Sequence, residues 1–215
     1  MRAYGGSVFR LEQHLWRLRR SMATIGLEWP HTAGYVRHAL AELLEANELA
    51  RGDVDARIRL TVTGGLSDGR IRLARSNPPT VLITAGPLIP PTPPEYEQGI
   101  ALATASYRQP WRSPLARIKT IHRLEYLLAR EEALAAGADD GLLLDDRGHV
   151  AECTASNIFI VTNRQVTTPS THGPILPGVT RDAAIEAARN AEFLVSEDIV
   201  SPGDVVTADE VFVTS

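Results

Sequence analysis

The chain has 215 residues, of which 44% are hydrophobic, and its formal net charge is −4. This composition predicts a folded protein and argues against a nucleic-acid binder, because phosphate binding needs a positively charged surface. The single cysteine, Cys153, excludes an intrachain disulfide, and no apolar run approaches the roughly 20 residues that span a bilayer, so we expect a cytoplasmic protein with neither nucleic acid nor membrane as a partner.

The first part of the chain predicts an α+β unit with two helices and an antiparallel sheet. Apolar residues recur every three or four positions in two stretches, which is typical of helices with one buried face. In a third stretch Ile58, Leu60 and Val62 alternate with polar residues, which is typical of a half-buried strand. The predicted helices span residues 12–25 and 33–49, and the predicted strands span 57–63, 70–74 and 80–85.

A run of prolines separates this predicted small domain, residues 1–86, from the rest of the chain. Five prolines fall between Pro87 and Pro94, and such a run favours a stiff, extended segment over a helix. We therefore predict an interdomain linker over residues 87–98 and a larger domain over residues 99–215.

The second part of the chain predicts strands interrupted by two helices. Short apolar stretches bounded by Gly, Pro, Asn or Asp indicate strands. A helix is indicated by the apolar residues Leu124, Leu127, Leu128, Ala133 and Leu134. The segment 106–118 is rich in Pro, Arg and Trp, which favours a loop. The predicted strands span 99–105, 141–144, 150–152, 157–161 and 166–168, and the predicted helices span 121–136 and 181–190.

Lys119 is the only lysine, since 21 of the 22 lysine and arginine residues are arginines. A guanidinium stays protonated at physiological pH, whereas a desolvated amine can lose its proton and attack a carbonyl, which is the basis of Schiff-base catalysis. The alternative is a surface lysine left in an arginine-rich chain. If Lys119 is catalytic, the natural cofactor is pyridoxal 5′-phosphate, whose aldehyde accepts an amine.

Such a cofactor needs a carboxylate at its pyridine nitrogen, groups for its phosphate and an apolar surface against its ring. Glu152 is a candidate for the carboxylate; the alternative is an edge-strand glutamate in solvent. The helix start at Val179 and Thr180 offers backbone N–H groups to the phosphate, helped by Arg17; the alternative is that Thr180 simply caps the helix. Leu176 is the candidate for the ring contact.

Several segments match a known group of proteins in order and in spacing. The matching segments are Val8–Leu18, Lys119–Glu125, Gly137–Asp145, Gly148–Phe159, Thr168–Pro169, Ile175–Arg181 and Ala208–Thr214. Together they cover nearly the whole chain. The chain resembles the class IV aminotransferase group of pyridoxal-phosphate enzymes, which includes branched-chain and D-amino-acid aminotransferases and aminodeoxychorismate lyase.

The resemblance implies a fold and a central reaction. The fold would be the two-domain α+β fold type IV of pyridoxal-phosphate enzymes, with a small α/β sandwich domain and a larger pseudo-barrel domain. Lys119 would form the internal aldimine and move the proton between Cα and the cofactor C4′, and Glu152 would pair with the pyridine nitrogen. Members of the family pair as homodimers, so we expect a homodimer.

The resemblance also implies contacts to the phosphate, the ring and the substrate. Arg17 and the backbone N–H groups of Val179 and Thr180 would bind the phosphate, and Leu176 would lie against the ring. Arg59 is a candidate contact for the substrate carboxylate; equally, it is a solvent-facing strand residue.

Departures from the family bear on activity and substrate. The match begins late and ends early, with Ser215 in a predicted turn, so we expect a chain shortened at both ends. Leu124 stands five residues after the lysine, where branched-chain enzymes commonly have Tyr, and Arg123-Leu-Glu125 looks closer to aminodeoxychorismate lyase. Against the lyase, Thr63-Gly64-Gly65 lacks the Arg that the lyase and the D-amino-acid enzymes often place there.

We therefore predict a pyridoxal-phosphate-dependent aminotransferase that moves an amino group between an amino acid and a 2-oxo acid. The first alternative is the lyase, which releases pyruvate and 4-aminobenzoate from 4-amino-4-deoxychorismate. The second alternative is an inactive, shortened homologue that acts as a binding subunit.

Overall fold

The computed structural model describes residues 1–51, 54–66, 69–70 and 78–215. The chain divides into two compact units, unit 1 (Met1–Thr92) and unit 2 (Pro93–Ser215). Each unit has its own hydrophobic core. No helix in the described ranges is long and apolar enough to cross a membrane.

Unit 1 combines two helices with an antiparallel sheet. Its described elements are β1 (Arg2–Tyr4), β2 (Ser7–Val8), α1 (Leu11–Thr24), α2 (Ala33–Ala46), β3 (Ala56–Thr63) and β4 (Thr80–Pro87). These strands pair in the order β2-β1-β3-β4, and every neighbouring pair is antiparallel. Val36, Leu40 and Leu44 recur every four residues on α2 and pack with Leu15 of α1 against Ile58 of β3, which forms the core.

Unit 2 contains two sheets with helices packed against them. Its elements are α3 (Pro93–Gln98), β5 (Leu102–Gln109), a 3-10 turn (Leu115–Arg117), α4 (Leu124–Ala135), β6 (Asp140–Asp145), β7 (Val150–Cys153), β8 (Asn157–Thr162), β9 (Gln165–Pro169), α5 (Val179–Asn190), β10 (Leu194–Asp198), α6 (Pro202–Thr207) and β11 (Glu210–Thr214).

The strands of unit 2 form one sheet in the order β5-β6-β7 and one in the order β10-β9-β8-β11. β5 and β6 are parallel, so the chain crosses between them through α4, whereas β6 and β7 form an antiparallel hairpin. A shared core joins the two sheets, because Leu142 and Val150 of the first pack with Ile158 and Ile160 of the second.

Helix α4 lies close to β6 because β6 carries a glycine at the contact. A Cβ atom at Gly141 would lie 3.0 Å from the carbonyl oxygen of Ala129 and 3.0 Å from Cγ2 of Thr154. Ala129 and Ala133 are the buried residues of α4. Small side chains on both elements therefore allow the close approach that brings α4 within reach of the adjacent strand β7.

Two predicted segments were wrong. β5 continues to Gln109 inside the predicted loop, because an irregularity between Thr104 and Arg108 lets its pairing with β6 resume. At the end of the proline run, Pro93 and Pro94 begin the helix α3, because the first turn of a helix tolerates residues without an N–H group.

At the C-terminus, the strand β11 pairs antiparallel with β8, and Ser215 follows it directly. The strands β1, β2 and β10 and the helix α6 have no counterpart among the predicted elements. The predicted strand 70–74 falls mainly on residues outside the described ranges.

Candidate active site

Glu152 lies on β7, and the register of the β6–β7 hairpin determines where its side chain points. Leu143 is directly opposite Glu152, and directly opposite residues of an antiparallel pair share a face of the sheet. Leu143 packs with Ala129 of α4, so the Glu152 side chain is buried on the α4 side, with 4% of the residue exposed. The alternative of an edge-strand glutamate in solvent is thereby excluded.

Four hydrogen-bond donors surround the Glu152 carboxylate, two on each oxygen. Oε1 accepts from Gln109 Nε2 at 3.2 Å and from the Tyr126 hydroxyl at 3.1 Å. Oε2 accepts from the backbone N–H of Leu176 at 3.0 Å and from Asn157 Nδ2 at 3.3 Å. Because a buried carboxylate is costly without partners, these donors are what allow an ionised group at this depth.

The ionisation of Glu152 is poised close to neutral pH. Burial raises the pKa of Glu152 from 4.5 to about 7, while the Leu176 N–H group, the Tyr126 hydroxyl and the positive charges of Arg123 and Lys119 oppose the rise. The Glu152 carboxyl group therefore ionises near neutral pH, where a pyridine nitrogen needs an anionic partner to keep its proton.

Tyr126 of α4 is itself held by residues on both sides. Its hydroxyl oxygen accepts a hydrogen bond from Gln109 Nε2 at 2.6 Å, and the Arg123 guanidinium lies 3.9 Å from the centre of its ring. Arg123 also donates to the carbonyl oxygen of Thr154. Burial and the nearby Glu152 carboxylate raise the pKa of Tyr126 well above its ordinary value, so the phenol keeps its proton.

A glycine immediately before α5 is required by the side chain that supports Glu152. Asn157 Nδ2 donates both to Glu152 and, at 3.0 Å, to the carbonyl oxygen of Leu176. A Cβ atom at Gly178 would lie only 2.1 Å from Asn157 Oδ1. Position 178 therefore has no space for a side chain while Asn157 keeps these bonds.

The start of α5 differs from the predicted capping arrangement. Gly178 is the N-cap residue and makes no side-chain cap, while Val179 and Thr180 are the first helical residues. Thr180 does not cap the helix; its hydroxyl donates to the backbone carbonyl of Ser215 at 2.9 Å. The first-turn N–H groups of this 12-residue helix have no partner within the helix, and its dipole favours an anion there.

A buried arginine fixes the first turn of α5 against the sheet. Arg181 is 1% exposed, and its Nη2 donates to the carbonyl oxygen of Pro169 at 2.9 Å and to Glu197 Oε2 at 2.7 Å. These bonds join α5 to β9 and β10. The backbone N–H groups at Val179 and Thr180 therefore stand on a firmly anchored turn.

Lys119 lies between the 3-10 turn and α4, next to a buried residue. Ile118 is extended and 6% exposed, whereas the Lys119 side chain is exposed. The charge of Lys119 reaches Glu152, since it opposes the rise in the pKa of that carboxyl group. Glu152 and Leu176 are joined by a hydrogen bond, and Lys119 contributes positive charge that favours the ionised form of Glu152.

The other two predicted site residues belong to unit 1. Arg17 lies on α1 and is half-buried, and its carbonyl oxygen accepts from the Ser21 hydroxyl at 2.9 Å. Arg59 lies on β3 opposite Thr84 and is exposed. Their assignments to phosphate and substrate stay predictions.

Sequence reasoning missed Gln109 and Tyr126 and gave Asn157 no role, and it did not identify which face of α4 is buried. Leu124, Leu127 and Leu128 are 59–62% exposed, whereas the buried side carries Ala129, Ala133 and the partly buried Tyr126. Leucine spacing indicated an apolar stripe but gave no information on which stripe meets the sheet. The opposite face of the helix combines a polar Tyr with small residues, and this combination was the signal in the sequence for the side that meets the sheet.

A cavity of about 240 Å³ in unit 2 is separate from these groups. Trp111, His149, His172 and Glu197 are among its lining residues, and none of the predicted site residues lines it. Its carboxylates already have protein partners: Asp145 accepts from two backbone N–H groups, and Glu197 pairs with Arg181.

The residues of unit 2 fit pyridoxal 5′-phosphate. A buried carboxylate that ionises near neutral pH suits a protonated ring nitrogen, and an amine within electrostatic range of it suits an aldehyde. The N-terminus of α5, beyond Leu176, suits a phosphate. The individual roles of Lys119, Glu152, Leu176, Val179 and Thr180 remain predictions.

Comparison with known proteins places these features in a family. A model of the family described as "Amino-transferase class IV" matches residues 1–215. The "Putative branched-chain-amino-acid aminotransferase" of Methanocaldococcus jannaschii is 37% identical over 218 residues, an alignment that covers 100% of this chain and 72% of that protein. The aminodeoxychorismate lyase of Bacillus subtilis is 31% identical over 214 residues, with 100% and 71% covered.

A solved structure agrees with the sequence relatives. The branched-chain aminotransferase from the thermophilic archaeon Thermoproteus uzoniensis, with norvaline, superposes with a TM-score of 0.87 at 32% identity, covering 100% of this chain and 72% of that one. The predicted α+β fold and the predicted family resemblance are both confirmed. The chain belongs to the class IV aminotransferase family.

Proposed function

We propose that this chain is a pyridoxal-phosphate-dependent aminotransferase that moves an amino group between an amino acid and a 2-oxo acid. The observation that carries the proposal is the buried Glu152 carboxylate, held by four donors and lying within range of the charge of the only lysine. A buried carboxylate and an amine are the two groups that this chemistry requires of a protein.

The bound cofactor supplies an aldehyde that accepts amines and a ring that withdraws electrons from the substrate Cα. In the proposed mechanism, Lys119 Nζ would accept the proton from the substrate Cα and donate it again in the second proton transfer. Glu152, as an anion, would hold a proton on the ring nitrogen, and Leu176 would pack against the ring.

The phosphate is proposed to bind at the start of α5. The N–H groups of Val179 and Thr180 and the helix dipole favour a dianion there. From the family resemblance alone, Arg17 is proposed as a contact to the phosphate and Arg59 as a contact to the substrate carboxylate.

A direct assay tests this function. The protein, supplied with pyridoxal 5′-phosphate, is incubated with L-leucine or L-valine and 2-oxoglutarate, because two of the similar proteins are named branched-chain aminotransferases. We expect glutamate to form, and Lys119→Arg to abolish its formation. A protein that takes up the cofactor but forms no glutamate with either donor contradicts the assignment to branched-chain substrates.

The lyase is the second candidate, favoured by a relative of that name that matches the whole chain at 31% identity. A lyase expels pyruvate by elimination, whereas an aminotransferase needs a 2-oxo acid as its second substrate to accept the amino group. Release of 4-aminobenzoate from 4-amino-4-deoxychorismate, without a need for 2-oxoglutarate, would identify the lyase.

The exposed leucines of α4 support a homodimer as part of this proposal. Leu124, Leu127 and Leu128 are 60%, 59% and 62% exposed and lie within one turn of the helix. Large apolar side chains exposed together on one helix are typical of an interaction site. We place the contact between two copies of this chain on this face.

A cytoplasmic location also belongs to the proposal. Cys153 is the only cysteine, and it is buried on β7 without a disulfide partner. A chain without disulfides is suited to a reducing compartment.

A further inference from the structure

The donors to Oε1 of Glu152 come from two elements outside its own hairpin and are bonded to each other. Gln109 at the end of β5 is 2% exposed, and Tyr126 lies on α4. Gln109 Nε2 lies 2.6 Å from the Tyr126 hydroxyl oxygen and 3.2 Å from Oε1, and that hydroxyl lies 3.1 Å from Oε1. The three groups therefore form a closed ring of hydrogen bonds.

The directions of these bonds are determined by the available hydrogens. The Gln109 amide has two N–H groups, so it gives one to Tyr126 and one to Glu152. Since the Tyr126 oxygen already accepts from Gln109, its own hydrogen is directed to Oε1. Both groups therefore donate to the carboxylate, and a proton placed on Oε1 would compete with these two donors for the lone pairs of that oxygen.

The donors to the other oxygen, Oε2, favour the same charge state. The Leu176 N–H group is part of the backbone and can only donate. Asn157 Nδ2 donates to Oε2 while it also donates to the Leu176 carbonyl oxygen, which keeps its amino group on this side. All four of these partners are thus placed to donate to Glu152, and none of the four is placed to accept a proton from it.

We propose that Gln109 and Tyr126 are positioning residues that orient the Glu152 carboxyl group and favour its anionic form before the cofactor binds. The purpose of this anion rests on the proposed function, whereas its geometry rests on the ring of hydrogen bonds. The anion is then prepared to pair with the protonated nitrogen of an aromatic ring, without rearrangement of the carboxylate when the ring arrives.

The charged and titratable groups that face Glu152 are consistent with this role. Lys119 and Arg123 contribute positive charge from the segment that leads into α4. Cys153, the neighbour on β7, stays neutral because burial raises its pKa to about 12. Arg123 packs on the ring of Tyr126, so Tyr126→Phe removes only the hydroxyl and leaves that contact in place.

Infrared spectroscopy of the cofactor-free protein measures the proton on Glu152 directly. Between about pH 5.5 and pH 9, carboxyl groups with ordinary pKa values near 4 remain ionised. A C=O band of a protonated carboxyl group that changes over this pH range therefore belongs to a group with a raised pKa. The band that Glu152→Gln removes is assigned to Glu152, and its midpoint is followed in each variant.

We expect Tyr126→Phe to move this midpoint upward by about one pH unit, since a hydrogen bond to an ionised group is lost. Gln109→Met should move it in the same direction, and it carries the test if Tyr126→Phe does not fold. Tyr107→Phe is the matched control, because Tyr107 lies in the same small core and makes no hydrogen bond to Glu152 among the described residues; its midpoint should match the unmodified protein.

A midpoint that stays in place in both Tyr126→Phe and Gln109→Met overturns the proposal. An equal shift in Tyr107→Phe overturns it as well, because the effect would then come from general packing. Neither result concerns catalysis, since no cofactor or substrate is present. Failure of the proposed function would appear separately, as absence of glutamate and 4-aminobenzoate formation in the assays above.

Discussion

Several residues of this protein are constrained because they support the carboxylate of Glu152. Glu152 depends on Asn157, and Asn157 in turn depends on the absence of a side chain at Gly178. A Cβ atom there would lie 2.1 Å from Asn157 Oδ1, far inside van der Waals contact. The glycine at this position is therefore explained by space for a neighbour, since its own φ is an ordinary −78°.

Gly178→Ala should lower the free energy of unfolding by about 1–3 kcal/mol, the usual cost of overpacking, and should weaken uptake of pyridoxal 5′-phosphate. Chemical denaturation and cofactor titration measure the two effects. The control is Gly203→Ala on α6, where an added Cβ meets only Ser201 Oγ at 3.5 Å; it should be neutral or slightly stabilising. Equal behaviour of the two variants would contradict the packing account.

At the scale of elements, α4 has two faces with different purposes. The face with Ala129, Ala133 and Tyr126 packs on the sheet and reaches Glu152, while the opposite face exposes leucines. A helix that buried its leucines in the sheet could not approach β6 as closely. The proposed dimer contact uses the face that this packing leaves exposed.

The double variant Leu127→Arg, Leu128→Arg should dissociate the proposed dimer, because two charges would be placed in an apolar contact. Analytical ultracentrifugation should show a dimer for the unmodified protein and a monomer for the variant, with unchanged circular dichroism. Leu194→Arg, at a 73% exposed position on β10, should remain dimeric. A monomeric unmodified protein would refute the dimer, and a dimeric double variant would remove α4 from its interface.

The elements also show how far sequence reasoning reaches. Periodicity predicted α1, α2 and β3 to within a few residues, because each has one apolar side that meets a core. It did not predict that β5 reaches Gln109, because resumption of the pairing depends on β6, which is distant in sequence. The motif and the cofactor chemistry identified Glu152. Its four donors, however, come from β5, α4, β8 and the segment before α5, and no local sequence pattern predicts that these elements converge.

For the molecule as a whole, Glu152 makes stability depend on pH. Its pKa is raised in the folded protein from 4.5 to about 7, so the folded state binds the proton more tightly than the unfolded state. The favourable contribution is complete below about pH 4.5 and is lost as pH rises through about 7. The rise corresponds to about 3 kcal/mol, since one pKa unit is about 1.4 kcal/mol.

Relative to Glu152→Gln, the cofactor-free protein should therefore lose about 3 kcal/mol of stability between about pH 4.5 and pH 8. Chemical denaturation at a series of pH values gives this difference, and contributions of groups common to both proteins cancel. Parallel pH profiles for the two proteins would show that Glu152 titrates normally.

The central claim, that Lys119 is the amine that bonds pyridoxal 5′-phosphate, has a direct test because the chain has a single lysine. The protein is incubated with the cofactor and reduced with borohydride, and its intact mass is measured. We predict one cofactor added to the unmodified protein and none to Lys119→Arg, which keeps the charge but has no amine to react. No added mass, or equal labelling of Lys119→Arg through the terminal amine, would contradict the account.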